Sequence, residues 1–470
     1  MEFIGRDAEL ARIGKVLAKN EQQNVLVYGR RRVGKSELIK RALELNGGDN
    51  KAAIYFECRQ TSEQDNLQSL NALAAEALGF PPLALGSVRE FLDFLFEQAL
   101  ERDIVLVLDE YPYLRDAVKG LDSIVQTAID RGRDVSRLKI ILCGSYVEIM
   151  RSLVESSNPL YGRIDLTLEL GPMDYYDAAK FYPGFSPEDK VRLYSVFGGI
   201  PYYNRLISQQ ATVRENIIEL VTAPGARLEN EVPMYLGSEI SKITNANEVF
   251  GALASGYSRW GDLLSQSHVS SGPAMTDVLG KLMQMGLIQR QAPINDRENK
   301  RKAGYRIIDP LTLFYYRYVF RYASQRTLLS EGAFYERFVE KDFEENHVPH
   351  MFEEVCRQYL VRENLAGRVE PAFDAIGKYW YDDPANQTSG EFDVVAHGPD
   401  GYAFYEAKFR KSAVTQKMID EEMAQVEATG LACNRYGFIS RGGFAAKPSE
   451  NVQLIELAEL YADDAARSTN

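Results

Sequence analysis

The stretch Asn24-Val25-Leu26-Val27-Tyr28-Gly29-Arg30-Arg31-Arg32-Val33-Gly34-Lys35-Ser36 constrains this chain more than any other, because an apolar run leads straight into G-x-x-x-x-G-K-S and then into a helical pattern. Strand, glycine loop and helix in that order make a cradle for nucleotide phosphates. Gly29 and Gly34 permit a tight turn that brings successive backbone N–H groups, from Gly29 through Arg30, Arg31, Arg32 and Val33 to Gly34, toward the phosphates. The following helix adds the positive end of its dipole. Lys35 is expected to reach the β- and γ-phosphates of ATP, and the Ser36 hydroxyl to hold Mg²⁺. An incidental Gly/Lys turn would lack the strand before it and the helix after it.

At 470 residues the chain exceeds one hydrophobic core, and about two to four domains are expected. A composition of 45% hydrophobic and 26% charged residues is that of an ordinary globular chain and supports neither a disordered nor a fibrous class. The net charge of -13 weighs against a general polyanion-binding surface, so any nucleic-acid contact must rest on local basic patches. Cys58, Cys143, Cys356 and Cys433 are scattered, without C-x-x-C spacing, which argues against zinc and disulfides and for a reducing compartment. No basic-then-apolar leader opens the sequence and no apolar run approaches the ~18–20 residues of a membrane helix, so a cytoplasmic protein without membrane contact is expected.

Beyond the glycine loop, β-rich runs at Ala52–Glu57, Ile104–Leu108, Leu138–Cys143 and Leu166–Leu170 alternate with amphipathic segments. That rhythm predicts a parallel sheet with helices on both faces. Ile104-Val105-Leu106-Val107-Leu108 is apolar throughout and delivers Asp109-Glu110 to the carboxyl edge where ligands bind in such sheets, the pattern of a Walker B motif. Asp109 is expected to position Mg²⁺ and Glu110 to orient or deprotonate the attacking water; the alternative is an acidic helix cap. Ser145, after the strand ending at Cys143, is either a γ-phosphate sensor or a helix N-cap. Arg163, in the turn Asn158-Pro159-Leu160-Tyr161-Gly162-Arg163, is a candidate arginine finger acting in cis or on a neighbouring subunit, which admits a homo-oligomer.

These motifs, with Phe3-Ile4-Gly5-Arg6-Asp7-Ala8-Glu9-Leu10, Cys143-Gly144-Ser145 and Gly199-Ile200-Pro201, resemble the archaeal-type P-loop ATPases, related to the signal-transducing AAA-like ATPases. The resemblance is strong over the first half and looser beyond it, where many members carry a winged helix and a nuclease-like domain. It implies that Gly5 and Arg6 lie near the nucleotide and that Pro201 is a hinge in a helical lid.

From about Leu236 to Val319 short helices precede Gly286-Leu287-Ile288-Gln289-Arg290, a basic loop and Tyr305-Arg306-Ile307-Ile308, which reads as a winged helix-turn-helix. Its expected recognition helix, Pro273 to Met285, offers only Thr276 and Lys281 for contact with DNA, whereas Arg297, Lys300, Arg301 and Lys302 cluster in the wing, either to touch a DNA backbone or as a solvated loop. The aromatic run Phe314–Phe320 reads as packing rather than base stacking.

The last domain carries a second chemical pattern. Gly390-Glu391-Phe392-Asp393-Val394-Val395, a turn near Gly398 to Gly401, and Tyr402-Ala403-Phe404-Tyr405-Glu406-Ala407-Lys408 would form two adjacent strands. Alternation puts Glu406 and Lys408 on one side, beside Asp393. Asp393 and Glu406 are hard oxygen ligands for Mg²⁺ or Mn²⁺, and Lys408 would position water or stabilise developing charge. The pattern resembles the PD-(D/E)xK nuclease superfamily, which implies a further acid on a preceding helix, here Glu353, with Glu354 second. The Glu-x-Lys triplet alone is weak; its place in an apolar strand is what marks it, the alternative being a half-exposed hairpin with ion-paired edges. His347 and His350 read as lying in a solvated loop.

The expected fold is thus α/β: a P-loop NTPase sheet with helical lid over 1–225, a winged helix-turn-helix over 226–325, a helical connection over 326–350, and a restriction-endonuclease-like α/β domain over 351–470. The expected function is an ATPase coupled to a metal-dependent nuclease acting on DNA or RNA. The alternative is a nucleotide-switched scaffold whose last domain binds without cutting.

Overall fold

The computed structural model describes residues 3–48, 51–133, 135–239, 243–298, 303–383, 388–430 and 432–462. The chain divides into two compact units, Met1–Pro172 with Ile200–Tyr202, and Met173–Gly199 with Tyr203–Asn470.

In the first unit, strands β1 (Gln23–Tyr28), β2 (Lys51–Glu57), β3 (Asp103–Asp109), β4 (Lys139–Gly144) and β5 (Leu166–Glu169) form one parallel sheet in the order β2-β3-β4-β1-β5. The expected strands are present, with ends displaced by about a residue. Strands β1 and β4 are buried along their whole length, and β3 from Ile104 onward. That is why they read as unbroken apolar runs rather than alternating ones. Helices such as Glu63–Leu78 and Val88–Gln98 cover the sheet, their first turns fixed by Ser62 and Ser87 hydroxyls that accept from the Asp65 and Glu90 amides. Each fully buried Leu or Ile contributes about 1.5–3 kcal/mol. The run Ile104–Leu108 therefore fixes the register that sets Asp109 at the carboxyl edge, level with the ends of β1 and β4.

The second unit begins with Met173–Gly199, which the sequence had joined to the ATPase half as far as 225. Buried tyrosines explain the difference. Tyr175 Oη donates to the Leu460 carbonyl at 2.7 Å, and the Tyr175 amide and Tyr194 hydroxyl both donate to Gln358 Oε1, at 3.0 and 3.2 Å. The expected break at 350/351 also falls inside a helix, since helical turns, some of them wide π turns, run without interruption from Glu331 to Leu365.

Three helices, Ile243–Ala254, Trp260–Gln266 and Gly272–Gln284, precede an antiparallel hairpin of β6 (Ile288–Gln291) and β7 (Gly304–Ile307). Arg297 is exposed on the connection between these strands; Lys300, Arg301 and Lys302 lie outside the described residues. The aromatic run packs inward: Phe314, Tyr316 and Tyr318 are buried, and Tyr316 stacks on Phe250 with ring centroids 4.7 Å apart. His347 is not in a solvated loop. It is fully buried in the long helical run, Nε2 lies 2.9 Å from the Ser195 carbonyl as its donor, and the ring stacks on Phe343.

The C-terminal sheet contains β8 (Ala375–Asp383), β9 (Thr388–Gly398), β10 (Gly401–Lys408), β12 (Cys433–Ser440) and β14 (Val452–Glu456), in the order β14-β12-β10-β9-β8. Strands β11 (Val414–Thr415) and β13 (Phe444–Ala445) make a separate small pair. Strands β8, β9 and β10 are antiparallel, with only Pro399 and Asp400 between the last two, and β12 and β14 run parallel to β10. The helix Val348–Leu365 packs on β8, β9 and β10. On the outer strand, the Ile294 amide donates to the Lys378 carbonyl at 2.7 Å and Asn295 Nδ2 to that of Trp380 at 2.9 Å, so part of the sheet edge is covered.

Candidate functional site

At the carboxyl edge of the first sheet the glycine loop connects β1 to the helix Lys35–Leu45. Gly29 cannot be replaced without displacing backbone, because a Cβ there would lie 2.1 Å from the Leu170 carbonyl oxygen. Gly34 has φ +92°, in the left-handed region that glycine enters without strain. Lys35 is buried, and its ammonium donates to the carbonyls of Gly29 at 2.9 Å and Arg30 at 3.2 Å, curling back over the loop. Ser36 Oγ donates to Asp109 Oδ2 at 2.6 Å, so the two oxygen donors expected to serve Mg²⁺ are already adjacent and fit a hard cation.

Asp109 is buried, and burial alone would raise its pKa. Hydrogen bonds from Ser36, Tyr55 and Cys143 and from the Glu110 amide outweigh that and hold it below the usual carboxylate value. Tyr55, on β2, was not foreseen; an aromatic in a strand gives no sequence signal beyond packing. Glu110 stands at the N-cap position of the helix Tyr111–Ala117 without capping it. Its Oε2 instead accepts from the Ser145 amide at 3.1 Å and hydroxyl at 3.0 Å. Ser145 is likewise no cap, since Tyr146 holds the N-cap position of the next helix. The structure thus brings Lys35, Ser36, Asp109, Glu110 and Ser145 to one edge.

The backbone there is strained. Among the described residues four non-glycine positions have positive φ, and Arg6 (64°), Arg32 (70°) and Glu110 (52°) are three of them. Such conformations cost about 1–3 kcal/mol each and persist only where the surroundings impose them, as at binding sites. Arg6 donates from Nη2 to the Val33 carbonyl at 3.4 Å and to that of Gly171, which sets it against the loop. Pro201 Cγ lies 3.8 Å from where a Cβ on Gly34 would be, and the Arg32 guanidinium lies 4.3 Å from the Tyr202 ring centroid.

Arg163 is not brought to the loop in its own chain. Its guanidinium forks onto Asp130, Nε to Oδ1 at 2.8 Å and Nη2 to Oδ2 at 2.9 Å, and its carbonyl accepts from Asn24 Nδ2 at 2.9 Å. Asn24 lies at the amino end of β1. At about 3.3 Å per residue, the length of the strand separates it from Gly29 by roughly 16 Å. The spacing of the turn in sequence carried no information about which sheet edge it would join.

In the second unit, the β9–β10 register pairs Tyr405 with Val394, and one step on sets Asp393 opposite Glu406. Lys408 Nζ contacts Glu406 and donates to Glu422 Oε1 at 3.0 Å. Burial raises the Glu406 pKa to about 7 against the lowering effect of Lys408. The unforeseen member is Lys378 on β8, whose Nζ lies 2.8 Å from Asp393, 2.9 Å from Glu391 and 3.7 Å from Glu353. Glu353 thus faces the cluster, whereas Glu354 pairs with Arg306 at 3.0 Å and with Arg357. The oxygen donors suit Mg²⁺ in kind. As arranged, however, ammonium groups occupy Asp393 and Glu406, and among the described residues no group of three or more His, Cys, Asp and Glu side chains is placed to hold a metal ion.

In the helix Gly272–Gln284, Lys281 is paired with Asp277 at 3.1 Å and Thr276 Oγ1 donates back to the Gly272 carbonyl at 3.1 Å. Among the described residues no helix is long and apolar enough to cross a membrane.

Known proteins match this arrangement in two segments. Residues 3–206 match an ATPase domain predominantly from Archaea. The matched segment spans the whole parallel sheet, the glycine loop and the Asp109-Glu110 edge. Residues 315–420 match a family of archaeal and bacterial proteins of unknown function, so the C-terminal chemistry rests on its own residues. Over 395 residues the chain is 26% identical to an uncharacterized protein of Methanocaldococcus jannaschii, spanning 84% of each. Among solved structures it is similar to the ORC2 protein of Aeropyrum pernix in ADPNP–ADP complexes, with TM-score 0.50 and 14% identity over 70% of this chain and 96% of that one. A Walker-type ATPase of Pyrococcus abyssi matches with TM-score 0.49 and 21% identity over 67% and 96%. The ORC2 likeness is one of fold, and it agrees with the P-loop architecture of the first unit.

Proposed function

We propose that the protein binds and hydrolyses ATP with Mg²⁺, and that its nucleotide state governs a C-terminal PD-(D/E)xK-like domain that cleaves DNA or RNA in the cytoplasm. The observation that carries the ATPase part is the convergence of Ser36 on Asp109 and of Ser145 on Glu110 beside Lys35. Lys35 leaves the loop carbonyls for the β- and γ-phosphates, and Glu110, oriented by Ser145, aligns the attacking water and takes its proton. Ser36 and Asp109 would hold Mg²⁺, which would offset phosphate charge.

The three helices and the β6–β7 hairpin support a winged helix-turn-helix that touches a nucleic-acid backbone through the exposed loop bearing Arg297. Asp393, Glu406 and Lys408 support the nuclease reading, with Glu353 as the helix-borne acid. The Lys378 contacts favour a second reading, in which the ammonium takes the place a metal would need and the domain binds without cutting. Incubating supercoiled DNA, linear DNA and RNA with the protein, Mg²⁺ or Mn²⁺, and with or without ATP, separates the two. Cutting that disappears in Asp393→Ala supports the nuclease, and ATP binding with no cutting by either protein supports the binding module.

A further inference from the structure

The glycine loop carries three consecutive arginines, and their surroundings differ. Arg30 is buried. Arg32 lies on the Tyr202 ring. Arg31 is exposed, and among the described residues no carboxylate pairs with it. Its guanidinium is held instead by two tyrosines, Nη2 being 3.4 Å from Tyr113 Oη and Cζ 5.8 Å from the Tyr146 ring centroid. The two rings meet edge to face at 5.9 Å. Both tyrosines are tied to the residues that handle water: the Tyr113 amide donates to the Glu110 carbonyl at 3.0 Å, and Tyr146 directly follows Ser145, whose hydroxyl holds Glu110. Arg31 is therefore a cation on the phosphate-wrapping loop, aimed along the Glu110–Ser145 side, with its charge unmet by any described carboxylate. Arg163, by contrast, has its fork filled by Asp130 at the opposite sheet edge.

We infer that Arg31 is the arginine that stabilises the transition state of ATP hydrolysis, supplied in cis by the glycine loop itself. The inference rests on the ATPase reading above. As the water oxygen bonds to the γ-phosphorus, the bond to the β–γ bridging oxygen breaks and its electron pair stays on ADP, while the water proton passes to Glu110. Arg31 meets the negative charge gathering on the bridging and γ oxygens, a planar donor fork matched to phosphate oxygens. Tyr113 and Tyr146 are positioning residues: they keep the guanidinium on the water side before ATP arrives, so little reorganisation remains for the reaction.

The test is steady-state ATP hydrolysis by the full chain with Mg²⁺, comparing wild type, Arg31→Ala, Arg31→Lys and Tyr113→Phe, with ADP affinity measured by calorimetry. Arg31→Ala should lower kcat by about 10²- to 10³-fold, while the ADP dissociation constant moves by less than about threefold. Arg31→Lys should recover part of the loss, because charge returns without the fork. Tyr113→Phe should lower kcat by about 3- to 10-fold with KM little changed. Specific activity should not vary on dilution of the protein, as a cis arginine requires. A kcat for Arg31→Ala within about threefold of wild type overturns the inference, as does specific activity that climbs with protein concentration. Wild-type protein that binds ATP without turnover overturns the ATPase reading and this assignment with it.

Discussion

Lys378 Nζ stands 2.8 Å from Asp393 Oδ1, so an ammonium from the neighbouring strand sits against one of the carboxylates that the sequence marks for metal-dependent chemistry. Burial alone would lower the pKa of Lys378. Glu353, Asp393 and Glu391 outweigh it and raise the pKa, so the cation is retained. Replacing it by methionine leaves those carboxylates facing one another. Lys378→Met should lower stability by about 1–3 kcal/mol, toward the low end because Glu391 is half exposed. Millimolar Mg²⁺ or Mn²⁺ should then raise the melting temperature of the variant more than that of wild type. Equal shifts in the two proteins would mean that the ammonium does not stand in for a metal.

Lys35 gives the simplest check on the nucleotide site. Its ammonium is buried and held at the loop by carbonyls at 2.9 and 3.2 Å, which it would exchange for the phosphates when ATP binds. Wild-type protein should gain about 2.7 kcal/mol at a hundred times the dissociation constant of ATP. Lys35→Ala should lose that thermal shift while still folding, and an undiminished shift would place the nucleotide elsewhere.

The legible part of the nucleotide site was that in which one residue type is forced by one geometry. Gly29 and Gly34 are demanded by a carbonyl at 2.1 Å and a φ of +92°, and Asp109 follows a run whose every residue is buried. Tyr55, Tyr113 and Tyr146 were illegible because an aromatic that orients a charged group looks in sequence like one that fills a core. Arg163, expected in cis or on a neighbouring subunit, does not reach the loop of its own chain for a related reason: a turn motif says that an arginine is in a turn, not which end of a strand the turn joins. In the second unit, strand alternation predicted that Glu406 and Lys408 share a face, but Lys378 sits in β8, outside any pattern that links it to Asp393. The compact units divide at 172 and not at 225, and position 350 lies within a continuous helical run; packing of buried tyrosines and helix continuity leave no linker-like composition to read.

Acid sensitivity of the second unit should trace to His347. The ring is fully buried and burial lowers its pKa to about 3, against an ordinary 6.5, the Ser195 carbonyl only partly opposing this. Because the folded pKa lies below the unfolded one, the unfolded chain binds the extra proton between those values. The stabilising contribution is complete above about pH 6.5 and is lost as pH falls toward 3, at up to about 1.4 kcal/mol per pH unit. Urea midpoints measured at about pH 7.5 and pH 5 should fall less in His347→Gln than in wild type. Parallel falls in the two proteins would assign the acid response to other groups.

Glu110 separates hydrolysis from binding. Its carboxylate accepts twice from Ser145, at 3.1 and 3.0 Å, while its own backbone is held at φ 52°, so the side chain is aimed by two constraints and caps nothing. On the proposed ATPase reading, a group oriented in this way and placed beside Asp109 would act on water rather than on the phosphates. Glu110→Gln keeps the size and can still accept from Ser145, but it cannot take a proton. It should lower kcat for ATP by about 10²- to 10⁴-fold and leave ATP affinity nearly unchanged, since Lys35, Ser36 and the loop amides remain. Ser145→Ala, which removes one of the two hydrogen bonds, should show a smaller loss in the same direction. Full turnover by Glu110→Gln, with the variant folded and binding ATP, would remove Glu110 from the reaction and leave its contact with Ser145 a purely structural one.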